Sequence, residues 1–94
     1  LRFDHASGVQ AQGVEELFER GRSAMIDARL QRKALRILDA MESATRPEDL
    51  NIPGFDFHSL RGKPKRYSCH VNGNWCVTFE WRDGPDRIEF EDYH

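Results

Sequence analysis

Residues 67–81 read YSCHVNGNWCVTFEW, and this stretch decides the fold. Asn72-Gly73 lies between two runs in which apolar and polar residues alternate. Asn-Gly in that setting is a strong signal for a β-hairpin, because both positions of the tight turn need positive φ. The pattern predicts a strand over Tyr67–Val71, a turn at Asn72-Gly73 and a returning strand over Asn74–Trp81.

The two faces of the returning strand differ in character. One set is aromatic and aliphatic, with Trp75, Val77, Phe79 and Trp81, and the other set is Cys76, Thr78 and Glu80. Because successive side chains of a strand point to opposite sides, each set lies on one face of the sheet. We expect the apolar face to receive the helices and the Cys76 face to point toward solvent or a ligand.

The two cysteines, Cys69 and Cys76, stand on opposite arms of the predicted hairpin. With Asn72-Gly73 as the turn they face each other directly, as a hydrogen-bonded pair with Cα atoms about 5.5 Å apart. That separation permits a disulfide. We nevertheless expect free thiols, because a reducing cytoplasm opposes disulfide formation.

Further strands flank the hairpin. Asp83-Gly84-Pro85 predicts a turn, and the residues after it predict a final strand over Arg87–Asp92. Upstream of the hairpin, phenylalanines alternate with polar residues over Phe55–His58, which predicts another strand. Leu1–His5 predicts a short first strand.

Two helices are predicted between the first strand and the others. Small and polar residues at Ala6–Gln12 predict a loop, after which Val14–Arg20 forms a short amphipathic helix. A second helix is predicted over Ile26–Ser43 because apolar residues recur there at three- and four-residue steps. The stripe consists of Leu30, Ala34, Ile37, Leu38 and Met41.

This order of elements predicts one α+β domain over residues 1–94. We expect a small antiparallel sheet of about four to five strands, with the two N-terminal helices packed on one face. The 94 residues are 38% hydrophobic and 32% charged, which is typical of a soluble globular domain. No apolar run approaches the roughly 20 residues that cross a bilayer, so no membrane association is expected.

Charge is spread unevenly along the chain. The formal net charge of −2 argues against a general nucleic-acid binder. Two basic clusters nevertheless stand out, one along a side of the second helix and one in the loop before Tyr67. They consist of Arg29, Arg32, Lys33 and Arg36, and of Arg61, Lys63, Lys65 and Arg66. Local fields, rather than the total charge, would guide an RNA ligand.

The loop Leu60–Arg66 has two interpretations, a solvated polar loop or a phosphate-binding loop. Arg61 is best placed for phosphate, because a guanidinium offers a planar fork to phosphate oxygens. Gly62 beside it allows close approach of the backbone. The additional RNA-binding candidates in this loop are Lys63, Lys65 and Arg66.

The chain ends in Glu91-Asp92-Tyr93-His94, which places carboxylates, a phenol and an imidazole side by side. All of these groups transfer protons, and an imidazole does so near neutral pH. The segment is either a strand end whose tyrosine caps the core or one edge of an acid–base site. Because residues 58–61 and 91–94 both end edges of one small sheet, we expect His94 to lie close to Arg61. His58 is an additional candidate.

A metal site is not expected. Enough ligand atoms for zinc are present in His58, Cys69, His70, Cys76 and His94, but their spacing matches no zinc motif. Cys69 and His70 also project to opposite faces of one strand. No Gly-rich phosphate loop is present either, so we expect no cofactor.

Several short segments, in their order and spacing, resemble the HigB-like toxins (plasmid maintenance killer proteins) of the RelE/ParE superfamily. The resemblance covers nearly the whole chain. The segments that carry it are residues 43–51 (SATRPEDLN), 58–62 (HSLRG), 71–75 (VNGNW), 78–79 (TF) and the terminal 91–94 (EDYH).

The resemblance implies a compact fold like that of microbial ribonucleases. It also implies a cytoplasmic endoribonuclease that cuts messenger RNA in the ribosomal A site. The implied partners are a helix-turn-helix antitoxin of the HigA type and operator DNA bound by the toxin–antitoxin pair. The active-site groups carried over from the family are Arg61, Asp92, Tyr93 and His94, with His58 as a helper.

Three departures from the family pattern bear on activity. Cys76 stands where the family usually has arginine, Ser59 replaces a usual proline, and the loop Gly62–Arg66 is about one residue short. Loss of a charge-stabilising arginine costs on the order of 10²–10³ in rate. Two alternatives therefore stand beside the ribonuclease, a catalytically impaired antitoxin-binding co-repressor and a ParE-like inhibitor of gyrase. The terminal Asp92-Tyr93-His94 argues against the gyrase inhibitor, which needs no acid–base cluster.

Overall fold

The computed structural model of the chain describes residues 1–4 and 9–92. The elements are α1 (Val9–Arg20), α2 (Ala28–Ser43), a short 3-10 helix (Pro47–Leu50), β1 (His58–Leu60), β2 (Arg66–Asn72), β3 (Trp75–Trp81) and β4 (Pro85–Asp92). Within the described residues the strands form one antiparallel sheet in the order β1-β2-β3-β4. The predicted α+β class, with two helices and a small antiparallel sheet, is confirmed.

The core lies between α2 and one face of the sheet. The predicted stripe of α2 is buried over its whole length, at Leu30, Ala34, Ile37, Leu38 and Met41. Val77 and Phe79 of β3 and Ile88 and Phe90 of β4 belong to the same buried cluster. Burying a large aliphatic or aromatic side chain contributes about 1.5–3 kcal/mol, so this contact holds the helices to one face of the sheet. No helix of the described chain is long and apolar enough to cross a membrane.

Helix α1 begins at Val9, so the prediction of a loop through Gln12 is wrong for residues 9–12. Ala11, Val14 and Leu17 are fully buried and follow one another at three-residue steps, which extends the apolar stripe by one turn. A Cβ at Gly13 would lie 2.9 Å from the Cβ of Met25, so α1 approaches the segment before α2 closely.

Helix α2 begins at Ala28 and not at Ile26. Asp27 is its N-cap, and its carboxylate accepts a hydrogen bond of 2.9 Å from the backbone N–H of Arg29. A capping carboxylate satisfies an amide that has no partner within the helix, and this sets the first residue of α2.

Strand β1 is His58–Leu60, so it begins three residues later and ends two residues later than the predicted strand over Phe55–His58. Asp56 has a φ of 45°, which breaks the extended conformation. The carbonyl of Phe55 instead accepts a hydrogen bond of 2.6 Å from the backbone N–H of His70, and its ring is buried in the core. The alternation of this segment therefore reflects a turn that inserts Phe55 into the core.

The hairpin between β2 and β3 is present, but its turn is Gly73-Asn74 and not Asn72-Gly73. Asn72 pairs with Trp75, and Gly73 has a φ of 57° at the first central position, where type II′ turns place glycine. An irregularity between His70 and Asn72 shifts the register further along the strands.

In this register the two cysteines do not face each other, so the predicted pairing of Cys69 with Cys76 is wrong. Cys69 pairs with Val77 and lies in the core, whereas Cys76 pairs with His70. β2 has one extra residue between His70 and Asn72, so every pair farther from the turn is moved by one position. A shift of one residue changes which side chains face each other. Both cysteines are free thiols.

The N-terminal segment lies beside β4 but is not the predicted strand over residues 1–5. Phe3 forms a single parallel bridge with Ile88. The Ile88 N–H donates to the carbonyl of Arg2 at 2.9 Å, and the Asp4 N–H donates to the carbonyl of Ile88 at 3.1 Å. His5 lies outside the described residues, and the segment occupies the outer edge of β4 around Ile88.

Candidate active site

The face of the sheet turned away from the helices is polar, and we call it the polar face. It consists of His58, Arg66, Ser68, His70, Cys76, Thr78, Glu80, Glu89 and Glu91. We predicted that the Cys76 side of β3 would point toward solvent or a ligand. Instead Thr78 is fully buried, and Glu80 and Cys76 are 6% and 8% exposed. This part of the polar face is therefore packed and hydrogen-bonded.

Arg66 holds the centre of the polar face together. Its guanidinium lies 3.1 Å from a carboxylate oxygen of Glu80 and 3.1 Å from one of Glu89. It also donates to the Thr78 hydroxyl at 3.0 Å and to the Arg87 carbonyl at 2.9 Å. The sequence grouped Arg66 with the RNA-binding cations of the loop, but the structure places its charge between two carboxylates.

A third carboxylate joins this network. The Thr78 hydroxyl donates to the carboxylate of Glu91, while its oxygen accepts from Arg66. Glu80 and Glu89 thus bind the guanidinium directly, and Glu91 is connected to it through Thr78, so the network carries more negative than positive charge. Sequence analysis missed these glutamates as a group, although their alternation with Phe79 and Phe90 places them on the same face.

Cys76 lies on the polar face between His70 on β2 and Glu91 on β4. Its thiol has a weak contact of 4.0 Å with the carbonyl of Asn74. An arginine at this position would place its guanidinium beside the Glu91 carboxylate. The other thiol is on the core side, where burial, followed by the charge of Cys76, raises the pKa of Cys69 to about 12. Cys69 therefore stays protonated and takes no part in the polar face.

His58 begins β1 at the sheet edge and is exposed. Its Nδ1 lies 2.8 Å from the Asp56 carbonyl, and its cross-strand neighbour is Ser68. Ser68 is 1% exposed, and its hydroxyl has no hydrogen-bond partner in the described structure. The alternation of Arg66, Ser68 and His70 could have identified this serine as a member of the polar face.

The loop between β1 and β2 carries three exposed cations, Arg61, Lys63 and Lys65. Gly62 has a φ of 121°, which a side chain would disfavour, so the glycine fixes the course of the loop after Arg61. The ammonium of Lys65 lies 5.5 Å from the ring centroid of Tyr67. Within residues 1–4 and 9–92, none of the three cations forms an ion pair, so all three are available to an anion.

Asp92 is exposed and is the last described residue, since Tyr93 and His94 lie outside the described residues. Asp92 pairs with Trp75, and Leu60 just before Arg61 pairs with Arg66. Trp75 in turn pairs with Asn72 on β2. Leu60 and Asp92 are therefore separated along the strands by the six residues from Arg66 to Asn72, which is about 20 Å. β1 and β4 are also opposite edges of the sheet.

The structure therefore does not bring Arg61, which follows β1, close to Asp92, which is the last residue of β4. Asp92 shares a face with Trp75, which packs on the core side, whereas His58 and Cys76 belong to the polar face. The expected approach of His94 to Arg61 depends on a residue outside the described range.

Two comparisons place the chain among known proteins. Residues 8–94 match the sequence model of a family described as the RelE-like toxin of type II toxin-antitoxin system HigB. The chain is also 33% identical over 85 residues to Endoribonuclease HigB of Proteus vulgaris, which covers 88% of this chain and 92% of that protein. The resemblance noted in the sequence motifs is thereby confirmed, and the chain belongs to the HigB-like family of RelE-like toxins of type II toxin–antitoxin systems.

Proposed function

We propose that this toxin is an endoribonuclease that cleaves messenger RNA on the ribosome, in the cytoplasm. The observation that carries the proposal is its likeness to the Proteus vulgaris endoribonuclease over most of both chains. The exposed cations Arg61, Lys63 and Lys65 support it, because an RNA backbone is recognised largely through its phosphates.

The proposed reaction is attack of a ribose 2′-hydroxyl on the adjacent phosphorus. The O2′–P bond forms and the P–O5′ bond breaks, which leaves a 2′,3′-cyclic phosphate and a free 5′-hydroxyl. A base removes the 2′ proton, and an acid donates a proton to the departing 5′ oxygen. We assign this proton transfer to Asp92 and His94. Tyr93 stacks on a base. Arg61 is about 20 Å from Asp92 along the strands, so it binds a neighbouring phosphate of the message and not the one that reacts.

The toxin family implies a protein antitoxin as partner. We further propose that this antitoxin has a helix-turn-helix domain of the HigA type and that the complex binds operator DNA. The net charge of −2 supports DNA binding through the antitoxin, because the toxin lacks the basic excess of a DNA-binding protein.

The polar face favours a second candidate function, an antitoxin-binding co-repressor with impaired cleavage. Cys76 contributes no positive charge beside Glu91, and the charge of Arg66 is held by Glu80 and Glu89. A phosphate approaching this face would meet carboxylates without a free guanidinium. Under this candidate the toxin retains antitoxin binding but cleaves slowly.

Primer extension on ribosome-bound message tests the proposal. Purified wild-type toxin should produce cuts that disappear in His94→Ala and weaken in Arg61→Ala. Arg46→Ala is the matched control, because this arginine is also exposed and pairs with Asp49 outside the site. Cuts that persist unchanged in His94→Ala would contradict the assigned site. Intact messages with wild-type toxin, with operator binding by its complex retained, would establish the co-repressor.

A further inference from the structure

A groove on the helical layer, away from the polar face, is not explained by RNA cleavage. It consists of two neighbouring cavities of about 550 and 400 Å³ that share Gln31 as a lining residue. Arg20 and Arg22 line the first cavity, and Arg32 and Arg36 line the second. We call this surface, defined by Gln31 and these four arginines, the arginine groove.

The arginine groove has an excess of positive charge. Its two carboxylates, Glu16 and Asp39, leave two of the four guanidinium charges uncompensated. Arg20 pairs with Glu16 at 3.6 Å. In the part of the chain that the structure describes, neither Arg22 nor Arg32 has an ion pair. On a chain whose net charge is −2, such a surface attracts an anionic partner.

Arg36 has a partner of a different kind. Its guanidinium lies 5.9 Å from the ring centroid of Phe55, over the aromatic face. This contact orients Arg36 without neutralising it, so the groove keeps its charge. Arg32 and Arg36 are four residues apart on α2, which places them about one turn apart on the same side of the helix.

The groove also has an apolar component, which distinguishes a protein partner from RNA. Leu35 lines the second cavity, and Ala24 lines the first. Met25, next to Ala24, is 48% exposed and is the exposed large hydrophobic residue of the described chain. Methionine and arginine are enriched in protein interfaces, whereas phosphate contacts need only cations.

We propose that the arginine groove is a docking surface for an acidic, amphipathic segment of the antitoxin. Its carboxylates would pair with Arg22 and Arg32, and its apolar side chains would cover Met25 and Leu35. The surface is separate from the cation loop of Arg61, so this proposal goes beyond RNA cleavage. It rests on membership of a toxin–antitoxin family and not on catalytic activity.

A pair of double variants separates the two surfaces. The variant Arg22→Ala/Arg32→Ala should bind the toxin's own antitoxin at least about tenfold more weakly, with message cleavage unchanged. The matched control Lys63→Ala/Lys65→Ala also removes two exposed charges. It should keep antitoxin affinity and lose cleavage. Isothermal titration calorimetry and primer extension give the two readouts, and circular dichroism confirms that both variants fold.

Three results would overturn the docking proposal. If Arg22→Ala/Arg32→Ala binds the antitoxin within twofold of the wild-type affinity, the arginine groove is not a docking surface. Loss of cleavage with affinity retained would assign the groove to RNA. A photocrosslinking residue at Met25 that labels no acidic segment of the co-expressed antitoxin would also contradict it. Absence of cleavage by wild-type toxin, with the binding difference intact, would defeat the ribonuclease proposal alone.

Discussion

Arg66 and Glu80 face each other on neighbouring strands of the polar face, with 3.1 Å between a guanidinium nitrogen and a carboxylate oxygen. Their side chains are 18% and 8% exposed, so the pair is largely removed from water. Glu89 binds the same guanidinium from the other side. The sheet therefore carries a partly buried ion network where the sequence suggested an exposed basic loop.

Removal of the Arg66 charge should destabilise the fold strongly. In Arg66→Met the carboxylates of Glu80 and Glu89 lose their shared cation, and an uncompensated buried charge costs about 3–5 kcal/mol. Urea unfolding followed by tryptophan fluorescence measures this loss. Arg61→Met, which removes an exposed arginine, should stay within about 0.5 kcal/mol of wild type. A loss below about 1 kcal/mol in Arg66→Met would mean that the network contributes little.

Stability should decline at high pH because of Cys69. Burial raises the pKa of this thiol from 9.0 to about 12, so the folded state holds its proton more tightly than the unfolded state. The contribution of this bound proton to the free energy of unfolding is complete below pH 9. It is lost as pH rises from 9 to 12, at about 1.4 kcal/mol per pH unit.

Urea unfolding at pH 8 to 10.5 measures this slope. Cys69→Ala should show a flatter pH dependence than wild type. Cys76→Ala should keep most of the wild-type slope, because burial, the larger cause of the raised Cys69 pKa, remains. Equal slopes in wild type and Cys69→Ala would assign the alkaline loss to other groups.

Gly13→Ala should destabilise the protein although alanine favours helices. A Cβ at this position would lie 2.9 Å from the Met25 Cβ and 3.1 Å from Ile26 Cγ1. Overpacking of this kind costs about 1–3 kcal/mol, which exceeds the gain of about 1 kcal/mol in helix propensity. Thermal unfolding should therefore show a lower Tm. In the Met25→Gly background, Gly13→Ala should cost less stability than in wild type, because only the contact with Ile26 remains. An equal loss in both backgrounds would contradict the steric explanation.

Cys76→Arg should increase message cleavage by about 10²–10³-fold and make induction more toxic. The new guanidinium would lie beside Glu91 on the polar face, where it can bind a phosphate. Cys76→Ser is the matched control, because it changes the same side chain without adding charge. Growth after induction and primer extension provide the readouts. Equal cleavage by the arginine and serine variants would show that this position does not limit the rate.

Patterns along the sequence predicted the two helices and the strands of the central hairpin, but not how the residues of the strands pair. Asn72-Gly73 correctly indicated the hairpin, yet the turn itself is Gly73-Asn74. The irregularity between His70 and Asn72 has no counterpart in the alternation of apolar and polar residues. Because register depends on such local irregularities, the neighbours of Cys69 and Cys76 could not be read from the sequence.

The candidate site was less predictable than the fold, because it depends on sheet order. Arg61 follows β1 and Asp92 is the last residue of β4, but the order β1-β2-β3-β4 places those strands at opposite edges. Arg66 looked like its basic neighbours in the loop, and only its alternation with Ser68 indicates the polar face. The alternation of residues along a strand predicts the face of the sheet on which each side chain lies. Which residues of neighbouring strands contact each other depends on strand order and register, which alternation does not predict.

The bridge between Phe3 and Ile88 has a consequence for self-association. It occupies backbone groups of β4, which leaves the short β1 as the more open margin of the sheet. Two copies joined along β1 would crowd the cations of Arg61, Lys63 and Lys65 against those of the other copy. Like charges at an open strand oppose pairing with a second copy, so we expect the residues proposed to bind RNA also to disfavour pairing of toxin molecules along β1.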